Sequence, residues 1–315
     1  MHSPSSANPI AWVIQRLHHH THHLSPSTRA LIWAACAGLL FCLLNAVMRG
    51  LAQKIHPFEA QFLRYACGLV VLLPMLLRHG LVAFRPQHMG GQFARGALHT
   101  LALFFWFSAL PQIPLANMTA IGFTTPIFIM LGAYFFLHEP MRWERWLATA
   151  IGFAGVMIVV GPQFSMAAHH GWYHLLMLAS APLFAASFLV TKALTRYETT
   201  GTILLWQGIS VTLLSLPLAL MHWSAPTAWQ WAGFMLCGAL GSAAHYCLTR
   251  SFKRADISAT QSLKFLELVW SALMGWLLFS DVPTLSAILG GMLISAATLW
   301  VARRESRRPL RPAVE

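Results

Sequence analysis

The chain has 315 residues, of which 57% are hydrophobic and only 10% charged, and it carries a formal net charge of +12. A soluble fold of this size needs far more polar surface, so the apolar excess must face lipid. The cations are spread over short connecting segments and a tail instead of forming a basic domain, which excludes nucleic acid as their partner.

Residues 1–28 hold Ser, Pro and the run His18, His19, His20, His22 and His23, ahead of Arg29. The segment reads as a disordered, His-rich cytoplasmic arm and not as a cleaved leader, with a metal-binding tract as the alternative. Ten apolar segments follow, at about 30–48, 58–77, 94–111, 115–137, 144–161, 173–195, 200–221, 226–247, 257–279 and 284–302. Each is long enough to cross a hydrocarbon core as a helix, which needs about 20 residues. Of the 21 Lys and Arg, Arg49 and Lys54 fall in loops on one side, and Arg64 and Lys264 fall inside spans. The other seventeen, among them Arg78, Arg85, Arg95, Arg142, Arg145, Lys192, Arg196, Arg250, Arg254, Arg303 and Arg304, fall on the opposite side. Cationic loops stay cytoplasmic during insertion, so both termini are expected in the cytoplasm of a multi-pass inner-membrane protein. The five cysteines, Cys36, Cys42, Cys67, Cys237 and Cys247, lie in apolar runs without a CxxC pair and read as small core residues, not a disulfide framework or zinc site.

The sequence repeats itself. Residues 96–156 slide onto 238–298 without a gap, bringing Gly96-Ala97-Leu98 onto Gly238-Ala239-Leu240, Phe123 onto Phe265, Leu131 onto Leu273, Leu147 onto Leu289 and Ala154 onto Ala296. Five spans per half is an odd number, so the second half enters the membrane inverted. The loop at 139–145 carries Arg142 and Arg145, whereas its counterpart Asp281-Val282-Pro283-Thr284 carries no cation. The predicted fold is therefore an all-α membrane protein of ten transmembrane helices in two inverted five-helix repeats, at 29–162 and 163–303, with a basic cytoplasmic tail at 304–315. Inverted repeats around a central site are a recurring design of secondary transporters.

Polar residues inside the spans are the candidate site. Span nine places Thr260, Lys264, Glu267 and Ser271 within roughly 60° on one face at 100° per residue. A Lys or a Glu facing lipid costs about 2.5–3.5 kcal/mol, so that face is expected to look into the bundle. Lys264 and Glu267 either pair at i, i+3 and neutralise each other or take part in substrate or proton binding. Arg64 on span two needs an acidic partner, with Glu59 and Glu267 available, or an anionic substrate group, unless it snorkels outward. His99, on a face with Arg95, Ala102 and Trp106, and His245, on a face with Ser242 and Thr249, are candidates for a proton relay or for helix-bridging hydrogen bonds. Trp106, Tyr246 and Trp270 offer aromatic walls or ordinary packing. Asn45, Ser180, Ser187 and Thr191 read as bridges between helices or substrate contacts. Pro126, after Thr124 and Thr125, frees the carbonyl of Gly122, which either lines a site or is satisfied by a threonine.

HPFEAQFLRY at 56–65, PLANMTAIGFTTPIF at 114–128, FLHEPMRWERWLATAIGFAGV at 136–156 and ADISATQSLKFLELVWSALMGWLLFSDVPTL at 255–285 resemble the EamA-type carriers of the drug/metabolite transporter superfamily. FExxFxR on span two, TTP on span four and LELV on span nine look most similar to bacterial S-adenosylmethionine uptake carriers. The resemblance covers about residues 30–303 and implies a ten-helix inverted-repeat fold and organic-metabolite transport.

The function expected is a secondary transporter that moves a small organic metabolite or drug, amino-acid-like and including S-adenosylmethionine, by alternating access. Glu267 is expected as coupling or cation-binding carboxylate, Lys264 and Arg64 as partners of a substrate carboxylate, and His99, Trp106, His245, Tyr246, Trp270, Asn45 and Thr125 as cavity lining. The partners expected are a small-molecule substrate, membrane lipids, protons and a second copy in a homodimer. No P-loop, metal-ligand spacing or nucleophile elbow occurs, so no cofactor or metal is expected. The alternatives are a lipid-linked carrier or flippase on the same fold and a polytopic membrane transferase using His99 or His245 as base; the latter is disfavoured by loops too short to hold an acceptor.

Overall fold

The computed structural model describes residues 25–51, 55–109, 112, 121–140, 142–160, 171–279 and 285–306. The His run, Lys54, Met118, the Asp281–Thr284 loop and the last nine residues, 307–315, lie outside the described residues. Every regular element described is helical: α1 (Pro26–Leu51), α2 (Pro57–His79), α3 (Met89–Ala109), α4 (Thr125–Leu137), α5 (Trp143–Val160), α6 (Gly171–Leu194), α7 (Thr200–Met221), α8 (Ala228–Arg254), a short α9 (Gln261–Lys264), α10 (Leu266–Phe279) and α11 (Leu285–Ser306). Single 3-10 turns at Leu81–Phe84 and Ser258–Thr260 complete them. Among the described residues, four stretches are long and apolar enough to cross a membrane by length and composition: Pro26–Met48, Pro57–His79, Trp172–Leu194 and Thr200–Met221. With leucine, isoleucine, valine and tryptophan exposed along these helices, the chain is a multi-pass membrane protein.

Local sequence sets the helix ends. Pro57 occupies the first turn of α2, where its missing N–H costs nothing, and the His56 side chain accepts from the Phe58 amide. Gly80, at φ 74°, stops that helix in a backbone region that glycine enters without strain. Thr227 and Gln230 form a reciprocal capping box at the start of α8, and Thr199 accepts from the Thr202 amide at the start of α7.

Two spans are interrupted. Residues 121–122 are helical, the chain turns at Phe123 and Thr124, and α4 restarts at Thr125 with Pro126 in its first turn. The carbonyl of Gly122 takes a hydrogen bond from Thr125 Oγ1 at 2.7 Å, and that of Ile121 takes one from Thr124 Oγ1 at 2.6 Å. Of the two fates open to the freed carbonyl, the threonine satisfies it. Span nine breaks at Phe265, between α9 and α10. Phe123 and Phe265, repeat partners 142 residues apart, stack at 5.4 Å between centroids and 18° between planes. Both interruptions therefore meet at one point in the bundle.

The packing pairs follow the same exchange. α1 packs most extensively on α8 and α3 on α6, α2 meets α7, and α5 meets α11. α8 also lies on α2 as α3 lies on α7, and α4 packs on α6 as α10 packs on α1. Small residues allow the closest of these approaches. A Cβ on Gly96 would lie 2.2 Å from Ser210 Cβ, and one on Gly238 would lie 2.5 Å from the backbone nitrogen of Gly68. Both pairs are related by the 142-residue shift.

The loops gather at two ends. At the basic end, Arg145 on α5 reaches Asp256 Oδ2 at 2.9 Å and Glu305 Oε1 at 3.0 Å, and donates to Ser258 Oγ at 2.6 Å. Glu139 accepts from the backbone of Ile257 and Ser258, Lys192 donates to the carbonyls of Phe252 and Ala255, and Glu198 accepts from the amides of Gln87 and His88. Arg145 and the residues following Arg254 thus share one end, as the span count requires. At the opposite end, Glu59 accepts from the backbone and hydroxyl of Ser224, and the imidazoles of His56 and His222 stack at 3.9 Å.

Several cations read as loop residues belong to helices, Arg95, Arg250 and Arg254 among them. α3 starts at Met89, five residues before the expected span, so Arg95 lies almost two turns inside it and is buried. α8 runs on to Arg254, which makes Arg250 and Arg254 helical. Apolar windows end at the first charge, but a helix continues while its backbone bonds are made, so the spans were drawn too short.

Candidate substrate cavity

Helices α2, α7 and α8 enclose a cavity with an empty volume of about 320 Å³, lined by polar Arg64, Tyr65, Gln207, Ser242 and His245 among Gly68, Gly208, Gly238, Gly241, Leu72, Leu204 and Cys237. Its walls are close because glycines form them: the Gly68–Gly238 crossing closes one side, and a Cβ on Gly241 would lie 3.5 Å from Arg64 Nε. The centre has room for water and little more.

Arg64 reaches this space from α2, its guanidinium 5.0 Å from the Tyr65 ring centroid. Among the described residues no carboxylate lies within ion-pair distance of it. Glu59 is occupied by Ser224, and neither acid proposed from the sequence pairs with Arg64. No carboxylate lines the cavity at all. A guanidinium in such a place attracts acceptor-rich or anionic groups.

Behind the lining runs a fully buried polar network. Tyr65 Oη and His99 Nε2 are 2.9 Å apart, and the rings of His99 and His245 lie 5.6 Å apart at 75°. Gln207 Nε2 is 3.5 Å from His245 Nε2, and its Oε1 accepts from Arg95 at 2.6 Å. Arg95 also donates to Thr191 Oγ1 and to the carbonyl of Ile203, while Ser187 donates to the Arg95 carbonyl. Arg95 therefore locks α3 to α6 and α7 and orients Gln207 from behind. Ser187 and Thr191 are bridges between helices, one of the two roles open to them in the sequence.

Glu267 stands elsewhere. Its Cγ would be 3.4 Å from a Cβ on Gly38, and Trp270 Cδ1 lies 3.9 Å from the same point, so both face α1. Cys42 donates to the Glu267 carbonyl and lies 3.5 Å from Ser271 Oγ. The Glu267 carboxylate has neither hydrogen-bond nor ion-pair partner among the described residues, and Trp270 Nε1 is buried without one. Lys264 Nζ lies 5.7 Å from the Phe188 ring centroid on α6 and makes no direct ion pair with Glu267, although its charge still acts on that carboxylate. The break at Phe265 divides the stripe read from periodicity: Lys264 turns toward α6 and Glu267 toward α1. Phe41 of α1 packs edge-on to His245 at 5.1 Å.

The remaining candidates lie apart from the cavity. Trp106 packs with Phe107, Tyr65 and Val211. Thr125 is spent on the Gly122 carbonyl, Asn45 is exposed on α1, and Tyr246 meets Trp33 on the outer face of α8. Of the expected lining, Arg64 and His245 touch the cavity directly and His99 stands one hydrogen bond behind it. Gln207 was missed, although an amide inside the apolar run TILLWQGISV is a signal of the same kind as His245. In the sequence Arg95 reads only as a cytoplasmic-side cation and a face mate of His99.

Residues 28–161 and 171–303 each match the EamA-like transporter family. The chain belongs to this family. A riboflavin transporter of Rhizobium johnstonii is 37% identical over 285 residues, covering 90% of this chain and 93% of that protein. An S-adenosylmethionine uptake transporter of Rickettsia felis is 30% identical over 264 residues, covering 84% and 89%. A solved crystal structure matches 87% of this chain and 98% of its own at a TM-score of 0.77 and 21% identity, which shows a shared fold. This EamA-like protein is thus a membrane transporter of small metabolites and not an enzyme.

Proposed function

We propose that the chain is a secondary transporter of the cytoplasmic membrane, built of inverted five-helix repeats at 29–162 and 163–303, that carries a planar, acceptor-rich metabolite of the riboflavin kind by alternating access. Both termini lie in the cytoplasm in this reading, with the arm at 1–28 and the tail at 304–315. The repeat-related packing pairs and the stacked Phe123 and Phe265 support the inverted arrangement, since each half supplies the same contacts to the other.

The observation that carries the substrate class is a cavity holding Arg64 and no acid. A sulfonium placed 4 Å from Arg64 would meet a repulsion of about 4 kcal/mol at an effective dielectric of about 20. An uncharged heterocycle with ring carbonyls instead accepts from the guanidinium and Gln207, and stacks on Tyr65. Tyr65 and Gln207 are repeat partners, so the site sits where the halves exchange roles. S-adenosylmethionine remains the second reading because the Glu267 carboxylate, without a hydrogen-bond or ion-pair partner among the described residues, could meet a cation. In both readings Glu267 is the proton-coupling group, and the narrow cavity must widen to admit substrate.

Proteoliposome uptake of labelled riboflavin and, in parallel, of labelled S-adenosylmethionine separates the readings. The first expects riboflavin flux that Arg64→Met reduces at least tenfold. Flux of labelled S-adenosylmethionine together with no riboflavin flux would favour the second, and full transport by Arg64→Met would remove the cavity from both.

A further inference from the structure

At the basic end, α1 and α8 lie side by side and run in opposite directions. Arg29 and Trp33 are one turn apart on α1, and Tyr246, Arg250 and Arg254 follow at the same spacing on α8. The Arg250 guanidinium sits 5.9 Å from the Trp33 centroid and 5.8 Å from that of Tyr246, and the two rings meet edge-on at 6.1 Å. Arg254 donates to the Arg250 carbonyl at 3.4 Å, and Arg250 and Arg29 are the cations whose fields act on it. The Nε atoms of Arg29 and Arg250 are buried with no hydrogen-bond partner. Three guanidiniums are therefore held together against their mutual repulsion, two with a donor unused.

The chain has little acid with which to neutralise them. Of its nine Asp and Glu, Glu59 is bound to Ser224, Glu139 to Ile257 and Ser258, Glu144 to Arg304, Glu198 to Gln87 and His88, and Asp256 and Glu305 to Arg145. Glu267 is half-buried against α1, and Asp281 and Glu315 are outside the described residues. Among the described residues no carboxylate pairs with the three, which points to an anion from outside the fold. Tyr246 is exposed and Trp33 half-buried, and amphipathic rings of this kind sit at the headgroup level of a bilayer.

We propose that this face of α1 and α8 binds the phosphate headgroup of an acidic phospholipid, with Arg29, Arg250 and Arg254 donating to the phosphate and Trp33 and Tyr246 packing on the glycerol and upper acyl chain. The site is separate from the substrate cavity and does not depend on which metabolite is carried.

The test is the thermal stability of the full chain in detergent, titrated with phosphatidylglycerol, with phosphatidylcholine, or with inorganic phosphate. Phosphatidylglycerol is expected to raise the midpoint by on the order of 5 °C more than phosphatidylcholine does, and inorganic phosphate to leave it unchanged. Arg250→Gln with Arg254→Gln should abolish that difference, while Arg196→Gln, an exposed basic-end control, should keep it. If the double variant does not fold, Arg29→Gln with Trp33→Leu is read in its place and should weaken phosphatidylglycerol binding at least tenfold. Equal shifts from both lipids, an equal shift from inorganic phosphate, or loss of the difference in Arg196→Gln would overturn the proposal.

Discussion

Replacing Gly96 by alanine should drive α3 and α7 apart, and removing one further carbon should bring them back. The new methyl would lie 2.2 Å from Ser210 Cβ and 2.9 Å from its Oγ, against ordinary carbon contacts of about 3.5–4.0 Å. Ser210 Cβ is fixed by its own backbone, so no rotation of the side chain relieves the overlap and the helices must separate by more than about 1 Å. Overpacking of this kind costs about 1–3 kcal/mol. At roughly 2–4 °C for each kcal/mol, Gly96→Ala should lower the midpoint of thermal unfolding by about 5 °C. Ser210→Gly removes the obstructing carbon and also a buried hydroxyl that has no partner, so its own helix penalty of about 0.5–1 kcal/mol is partly offset. In the double variant the two closest obstructing atoms are gone, and the Cα at position 210 lies at 3.6 Å, an ordinary contact. The pair should therefore recover to within about 1 kcal/mol of the parent, a coupling of about 1–2 kcal/mol measured by scanning fluorimetry of all four proteins. Strict additivity would refute the contact. Gly50→Ala, where nothing lies within 4 Å, is the control and should change little.

Arg145→Met leaves the Glu305 carboxylate and Ser258 without their shared donor. Breaking a buried pair from one side costs about 3–5 kcal/mol, and because Asp256 is 40% exposed the loss should sit at the lower end of that range; a variant as stable as the parent would contradict the network. Glu267→Gln should leave folding intact while flattening the pH dependence of uptake in proteoliposomes, and uptake that stays fully pH-dependent would take Glu267 out of the coupling. His56, outside the spans, is held below the ordinary imidazole value by burial and by the stacked His222, with Glu59 opposing. The unfolded chain then takes up the proton first, so stability should be flat above about pH 6.5 and fall as pH drops toward the depressed folded value. His56→Gln should remove that part of the slope in thermal unfolding, and an unchanged slope would assign it to another group.

Hydropathy and the 142-residue echo make an all-helical membrane protein of two EamA-like repeats legible in the sequence. Twenty apolar residues have no other stable destination than a membrane helix, and a duplicated sequence repeats its small residues at the same crossings, as Gly96 and Gly238 do. His245 and Arg64 were legible for a related reason: a costly polar group in an apolar run is kept only where it has something to face. What one-dimensional periodicity could not decide is which groups meet. Lys264 and Glu267 share a face on an ideal helix, yet one turn at Phe265 sends them to different neighbours. Arg95 looks like a loop cation because hydropathy windows stop at charge, whereas the fold supplies it with Thr191, Ile203 and Gln207 from helices about a hundred residues away. Long-range packing alone determines that Arg64 is left free among glycines and that Glu267 faces Gly38. Those partners are brought together by helix crossings, and a crossing leaves no spacing in the sequence of either helix.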